Sequence, residues 1–169
     1  MRKPIRMRVK SISMTFIITL ILFTTNLQAQ DLEPHFKDYQ VIEKHVGKNA
    51  PLVLPRNARM FRTRLKEAAK QKPNFAGHYI LTTWGCGMEC LMGALIDAKT
   101  GKIYQMPFTI CCWGADVDDD FEPIQFRTDS NLIIFSGARD EKEGDNGKHF
   151  YKFDRHRFVP ITSIFRSAQ

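Results

Sequence analysis

From Gly77 to Ile161 the chain is a succession of short apolar runs broken by turn signals, and this rhythm constrains its fold more than any other feature. HYILTTW (78–84), LMGALID (91–97) and KIYQMPF (102–108) are rich in β-branched and aromatic residues, and AKTG separates the last two. PIQF (123–126) and LIIFSG (132–137) flank RTDSN, and HFYKFD (149–154) and RFVPI (157–161) meet at Arg155-His156. EKEGDNG (141–147) is a charged, glycine-bearing loop between them. Such a series reads as an antiparallel meander of six to seven short strands.

The apolar faces of a meander must be covered. NARMFRTRLKEAAKQ (57–71) is the natural cover: Met60, Phe61, Leu65, Ala68 and Ala69 recur at helical spacing, Asn57 suits an N-cap, and Pro73 follows the last turn. Its outer face carries Arg59, Arg62, Arg64, Lys66 and Lys70, read as an ordinary solvated face. The fold class is therefore α+β, dominated by β, with one covering amphipathic helix. Residues 30–56 read as an irregular N-terminal segment in which Phe36, Tyr39, Val41 and Ile42 form one short turn or strand and PLVLP (51–55) is extended. Residues 57–169 form a single disulfide-stapled β-rich domain.

The N-terminus points to export. Arg2, Lys3, Arg6, Arg8 and Lys10 precede the apolar run FIITLILF (16–23) and a small residue, Ala29. This is the order of a signal peptide, read here over residues 1–29, with Met7 or Met14 as alternative starts. The run is shorter than the roughly 20 residues a bilayer span needs. The whole chain is +7, but without the five basic residues of the leader it is +2. The basic balance thus belongs to the targeting segment and gives no nucleic-acid footprint. The expectation is a periplasmic or secreted bacterial protein, free of the membrane once the leader is cleaved.

An oxidising compartment favours disulfides among Cys86, Cys90, Cys111 and Cys112, an even number. WGCGMEC (84–90) joins two strands and does not open a helix, so the thioredoxin-type placement of a catalytic dithiol is missing. Zinc held by the four thiolates is a minor alternative, because adjacent Cys111 and Cys112 on a strand point to opposite faces; copper at Cys86 and Cys90 is another, because such sites sit in thioredoxin-like folds, which this chain does not resemble. A thiol nucleophile would need a histidine base. The nearest, His78, lies roughly 25 Å away along an extended strand, and His35, His45, His149 and His156 sit in no recognisable motif. Three disulfide pairings remain open. The two that cross between the loops would each enclose about 25 residues and contribute about 3–4 kcal/mol. The local pairing of Cys86 with Cys90 leaves a vicinal bridge.

A crossed clasp would bring Trp84 and Trp113 to one end of the sheet, beside the carboxylates Asp116, Asp118, Asp119, Asp120 and Glu122. That cluster resembles part of a calcium loop but lacks the EF-hand spacing. Trp84, Trp113, Asp116, Asp118 and Asp120 are the candidate binding residues, for an unidentified protein or envelope component. No catalytic residue and no cofactor is assigned.

The middle third of the chain resembles a motif of exported bacterial proteins, N-F-A-G-[HK]-Y, then W-G-C-G, a second cysteine and a D-x-x-T-G turn. Here these are Asn74 to Tyr79, Trp84 to Gly87, Cys90, and Asp97 with Thr100 and Gly101. The resemblance implies export and a shared fold, and brings no activity with it. FRTDSNLIIFSG (126–137) is also similar to the outer strands of a β-propeller blade, although the chain has strands for two blades at most and a propeller needs at least four. The leading expectation is a small partner-binding protein of the inhibitor or immunity type, non-enzymatic. The alternatives are a thiol-redox or metal protein using Cys86 and Cys90, and a hydrolase using His78.

Overall fold

The computed structural model describes residues 33–114, 117–118 and 120–166. The leader and Asp116 and Asp119 lie outside the described residues. Pro34–Gln169 forms one compact unit. Among the described residues no helix is long and apolar enough to cross a membrane.

The unit is mostly antiparallel sheet. Among the described residues there are eight strands, β1 Tyr79–Gly87, β2 Cys90–Asp97, β3 Ile103–Gln105, β4 Ile110–Cys111, β5 Ile124–Phe126, β6 Leu132–Arg139, β7 Gly147–Asp154 and β8 Arg157–Phe165. The sheet order is β1-β2-β4-β6-β7-β8, with β3 on β2 and β5 on β6. The expected six to seven strands are thus exceeded by the two-residue β4, too short to leave a periodic signal. The order also departs from a simple meander, because β4 bridges β2 and β6 and joins two hairpin groups into one sheet.

The sheet folds over on itself. Tyr79 of β1 and Phe153 of β7 lie four strand positions apart in the sheet order, a flat distance of roughly 19 Å, yet their rings are 4.9 Å apart. The enclosed core takes alternate residues from each strand: Leu81, Leu95, Ile133, Phe135, Tyr151 and Phe153 are all buried in one cluster. The opposite residues of β1 and β2, Ile80, Trp84, Ala94 and Ile96, pack under Ala58, Leu65 and Ala68. This is the cover expected of the helix. Its form differs: a 3-10 segment Arg56–Phe61 runs into a short helix, α1, Arg62–Ala68. Pro55, not Asn57, stands at the start, where its fixed φ suits entry to the 3-10 turn. The outer face of β6 and β7 (Leu132, Ile134, Phe150) is covered by Phe36 and Tyr39, the latter two within a 3-10 turn Phe36–Tyr39.

The irregular N-terminal segment is part of this fold. Val41 N–H donates to Asp129 O (2.9 Å), His45 N–H to Gly77 O (2.9 Å), Ala50 N–H to Ala98 O (2.8 Å) and Val53 N–H to Gly101 O (2.8 Å). Hydrogen bonds to loop carbonyls need no periodic apolar pattern, which is why residues 34–56 look detached in sequence.

Two turns obey local chemistry directly. The Asp97 carboxylate accepts from Lys99 N–H (2.8 Å) and from the Thr100 hydroxyl (2.7 Å), and Gly101 closes the turn at φ +72. Pro160 lies in β8, an edge strand, where its missing N–H costs no ladder bond.

Candidate functional site

The four cysteines meet where β2, β4 and β6 run side by side. β1 and β2 are joined by a two-residue turn, Met88-Glu89, with Gly87 paired to Cys90. The register slips between Gly85 and Gly87, so Cys86 is the extra residue of a bulge. The bulge brings Cys86 to Cys90 as a disulfide, with Cα atoms 5.1 Å apart. The second bridge joins Cys111 to Cys112. The crossed pairings expected from loop-to-loop stapling are therefore not the ones formed. The objection that adjacent strand residues face apart is met by the backbone: Cys112 lies past the end of β4 at φ +59, which swings its side chain back beside that of Cys111.

The two bridges are neighbours. Cys90 and Cys111 are direct register partners in the β2–β4 ladder, and Cys111 pairs on its other side with Ala138 of β6. Cys90, Cys111 and Ala138 form a buried cluster of their own. Directly opposite residues in an antiparallel pair hold their Cβ atoms about 4.5–5.5 Å apart on the same face. Cys86 and Cys112, by contrast, are exposed. Each disulfide thus has one accessible half and one buried half, and the buried halves face one another.

Polar contacts fix the accessible end. Asn146 Nδ2 donates to Cys112 O (2.6 Å), and Arg166 Nη1 donates to Trp113 O (3.3 Å). Arg166 so ties the end of β8 to the residue that follows Cys112. Gly137 of β6 stands against the Cys111 carbonyl at φ +134, a position where a Cβ would strike that carbonyl. Gly137→Ala is expected to cost about 1–3 kcal/mol in a denaturant titration and to displace β4.

The expected meeting of Trp84 and Trp113 at one end of the sheet does not occur. Trp84 is 6 % exposed, with its ring 4.7 Å from Phe61 under the helix. It is a core residue and not a loop-tip contact, because position 84 falls on the helix-covered face of β1. Trp113 is half-buried against the inner core, with Phe121 at 6.2 Å. The two tryptophans therefore serve opposite faces of the sheet. Asp118, Asp120 and Glu122 are exposed. Among the described residues, no three His, Cys, Asp or Glu side chains gather as a metal site.

The histidines are engaged elsewhere. His78 rests on Tyr79 (4.1 Å) with its Nε2 4.0 Å from Asp97. Burial and then the Lys99 charge hold its pKa below the ordinary value, with Asp97 acting in the opposite sense. The Asp97 carboxylate is itself committed to its turn. His149 is fully buried: two carbonyls, Gly137 O and Asp145 O, lie 2.9 Å from Nε2, which requires a proton there, and Nδ1 shares a hydrogen bond with the Ser163 hydroxyl (2.9 Å).

Two features escaped the sequence reading. One is the Arg139–Asp145 fork beside His149. The other is a cleft of 240 Å³ lined by Phe61, Trp84, Met92, Met106, Phe108 and Asp140 among others. The only sequence signal for the fork is an aspartate four residues before a strand histidine, inside a run that reads as solvated loop. Compared with family models, curated proteins and solved structures, the chain finds no significant match.

Proposed function

We propose that this protein is a thiol–disulfide exchange protein of an oxidising compartment, in which Cys111–Cys112 and Cys86–Cys90 pass an electron pair between them. The observation that carries this reading is the placement of Cys90 opposite Cys111 in one ladder, with Cys86 and Cys112 exposed.

Energetics favour it over a purely structural clasp. A bridge closing about five residues contributes about 2 kcal/mol, against about 3–4 for one closing about 25. The vicinal bridge encloses a single peptide bond and restricts the unfolded chain hardly at all. Neither bridge ties distant segments together, so the stapling that motivated the partner-binding expectation is absent from this pairing.

The exchange balances as follows. A thiolate of a partner dithiol attacks the Cys112 sulfur, the bond to Cys111 breaks, and Cys111 leaves as thiolate. The partner's second thiolate attacks its own sulfur in the mixed disulfide and releases Cys112. The partner is oxidised to a disulfide, Cys111 and Cys112 are reduced, and the two partner protons pass to the released thiolates. Cys111 then attacks the Cys90 sulfur and expels Cys86, and Cys112 attacks Cys111 and expels Cys90. The vicinal bridge is restored, and the pair is held as Cys86 and Cys90 thiols.

A trap tests the relay step. In Cys86→Ser/Cys112→Ser, only the two buried sulfurs remain. Mild oxidation is expected to join Cys90 to Cys111, seen as one linked peptide in a non-reducing mass map. Two thiols that stay alkylatable in a variant with unchanged circular dichroism would sink the relay. With wild-type protein, a dithiol peptide is expected to be oxidised stoichiometrically, and Cys112→Ser to slow this at least about 100-fold, because it removes the accessible sulfur.

A further inference from the structure

We propose that the layer covering the outer face of β1 and β2 docks onto an anionic lipid bilayer, with its cations among the headgroups and Met60 and Val53 immersed between them. Residues 44–72 hold nine lysines or arginines and one acid, Glu67, and all nine basic residues are exposed. The rest of residues 30–169 holds eleven basic and seventeen acidic residues. The positive charge of a near-neutral chain is therefore gathered in one segment. This goes beyond the expectation of an ordinary solvated face, and it concerns a surface contact, not a span.

The geometry aligns these charges. In the 3-10 segment Arg56–Phe61, residues three apart eclipse one another. Ala58 and Phe61 turn toward the sheet, which leaves Arg56 and Arg59 on one outer ridge and Met60 on the other. Arg62, Lys66 and Lys70 extend the first ridge at intervals of four, the spacing of one helix face, with Lys70 just past the helix end. The ridge is roughly 24 Å long at the rises of the two helix types. Beyond it, Lys48 and Lys72 line one hollow with Lys70. Among the described residues, only Lys70 of these meets a carboxylate, that of Glu67. Met60 is 80 % exposed beside the ridge. Val53 is 55 % exposed; Leu52 and Leu54 on either side pack on the covered cluster, so alternation turns Val53 away from the core.

These features select the partner. A small anion meets one or two of the charges spread over such a length, whereas a bilayer surface meets them together. Each lysine or arginine near an anionic membrane strengthens binding roughly fivefold. A soluble polyanion gives an exposed methionine and valine nothing apolar to enter. A protein interface gathers its apolar contacts in a core within a polar rim. Here Met60, between Arg59 and Arg62, and Val53, three residues before Arg56, stand singly. That is the arrangement of a face lying in the headgroup layer. The surface is carried by residues outside the cysteine pairs and does not require thiol exchange.

The test uses residues 30–169, which contain the compact unit Pro34–Gln169 and lack the basic, apolar leader. Vesicles of phosphatidylcholine with one-third phosphatidylglycerol are expected to carry the protein down on sedimentation at low salt. Pure phosphatidylcholine vesicles are expected to leave it in solution. Arg59→Gln/Arg62→Gln/Lys66→Gln is expected to weaken anionic-vesicle binding about 100-fold, the product of three fivefold losses. Met60→Ser/Val53→Ser is expected to weaken it about tenfold, and to leave any binding to soluble polyglutamate unchanged. All five positions are exposed, and unchanged circular dichroism reports that the fold is kept. Should a variant misfold, the wild-type comparison of the two vesicle compositions decides. Protein left in solution with anionic vesicles overturns the proposal, as does equal sedimentation with pure phosphatidylcholine. Vesicle binding that survives the charge variant overturns it too. Binding equal in wild type and Met60→Ser/Val53→Ser assigns the face to a soluble acidic partner and likewise overturns it. None of these outcomes bears on the cysteine trap, so the two readings fail separately.

Discussion

Asp145→Ala is expected to lower the unfolding free energy by about 3–5 kcal/mol, the range for breaking a buried ion pair by removing one partner. Arg139 Nη2 and Nε donate to the two Asp145 oxygens at 2.6 and 2.8 Å, and the Arg139 backbone N–H adds a third bond at 3.1 Å. The Asp145 side chain is 5 % exposed and that of Arg139 25 %, so the alanine variant strands a guanidinium that water reaches poorly. The effect extends to the cysteines. Arg139 pairs with Ile110 and Ala138 with Cys111, so loosening this end of β6 loosens the strand that holds the vicinal pair.

The same pair gives an acid limb to stability. The Arg139 guanidinium holds the Asp145 carboxyl down at about 2, from 3.8. A carboxyl depressed by folding stabilises the protein above its unfolded pKa, and that contribution is lost as pH falls through the folded value. Here it amounts to about 2 kcal/mol, lost between about pH 4 and about pH 2. Denaturant midpoints across that window should fall steeply in wild type. In Asp145→Asn, which keeps the shape without the charge, they should start lower and fall less. An unchanged acid limb in Asp145→Asn would remove this pair as its cause.

The sheet was readable in the sequence because alternation and turn residues act over a few positions. LMGALID and LIIFSG lie within strands, as does HYILTTW apart from His78, and AKTG forms the turn that Asp97 caps. The helix was readable as a covering stripe but not as a 3-10 segment followed by two turns of α-helix, since both periods place Ala58, Leu65 and Ala68 inward. What the sequence hid depends on register and distance. The Cys86 bulge and the left-handed Cys112 decide which sulfurs meet, and neither leaves a pattern. Two glycines around Cys86 signalled an unusual backbone without saying which. That Cys90 lies opposite Cys111 follows from β4, two residues long and invisible to periodicity. The N-terminal segment looked separate because it is held by backbone hydrogen bonds to loops, and the Arg139–Asp145 fork because a charged glycine-bearing run reads as solvated.

Trp84→Ala separates the two roles open to the indole. At a loop tip, truncation changes stability by no more than about 0.5 kcal/mol. Under the helix, against Phe61 and the side chains of Leu65, Ile80 and Ile96, it removes a core aromatic and is expected to cost about 3–5 kcal/mol by urea unfolding. Trp84→Phe refines the result. It keeps an aromatic ring against Phe61 and removes an N–H that has no partner among the described residues, so no hydrogen bond is lost and the cost should be smaller than that of alanine. Joining of Cys90 to Cys111 in the Cys86→Ser/Cys112→Ser background should proceed as before, because the ladder register that places them does not involve the indole nitrogen.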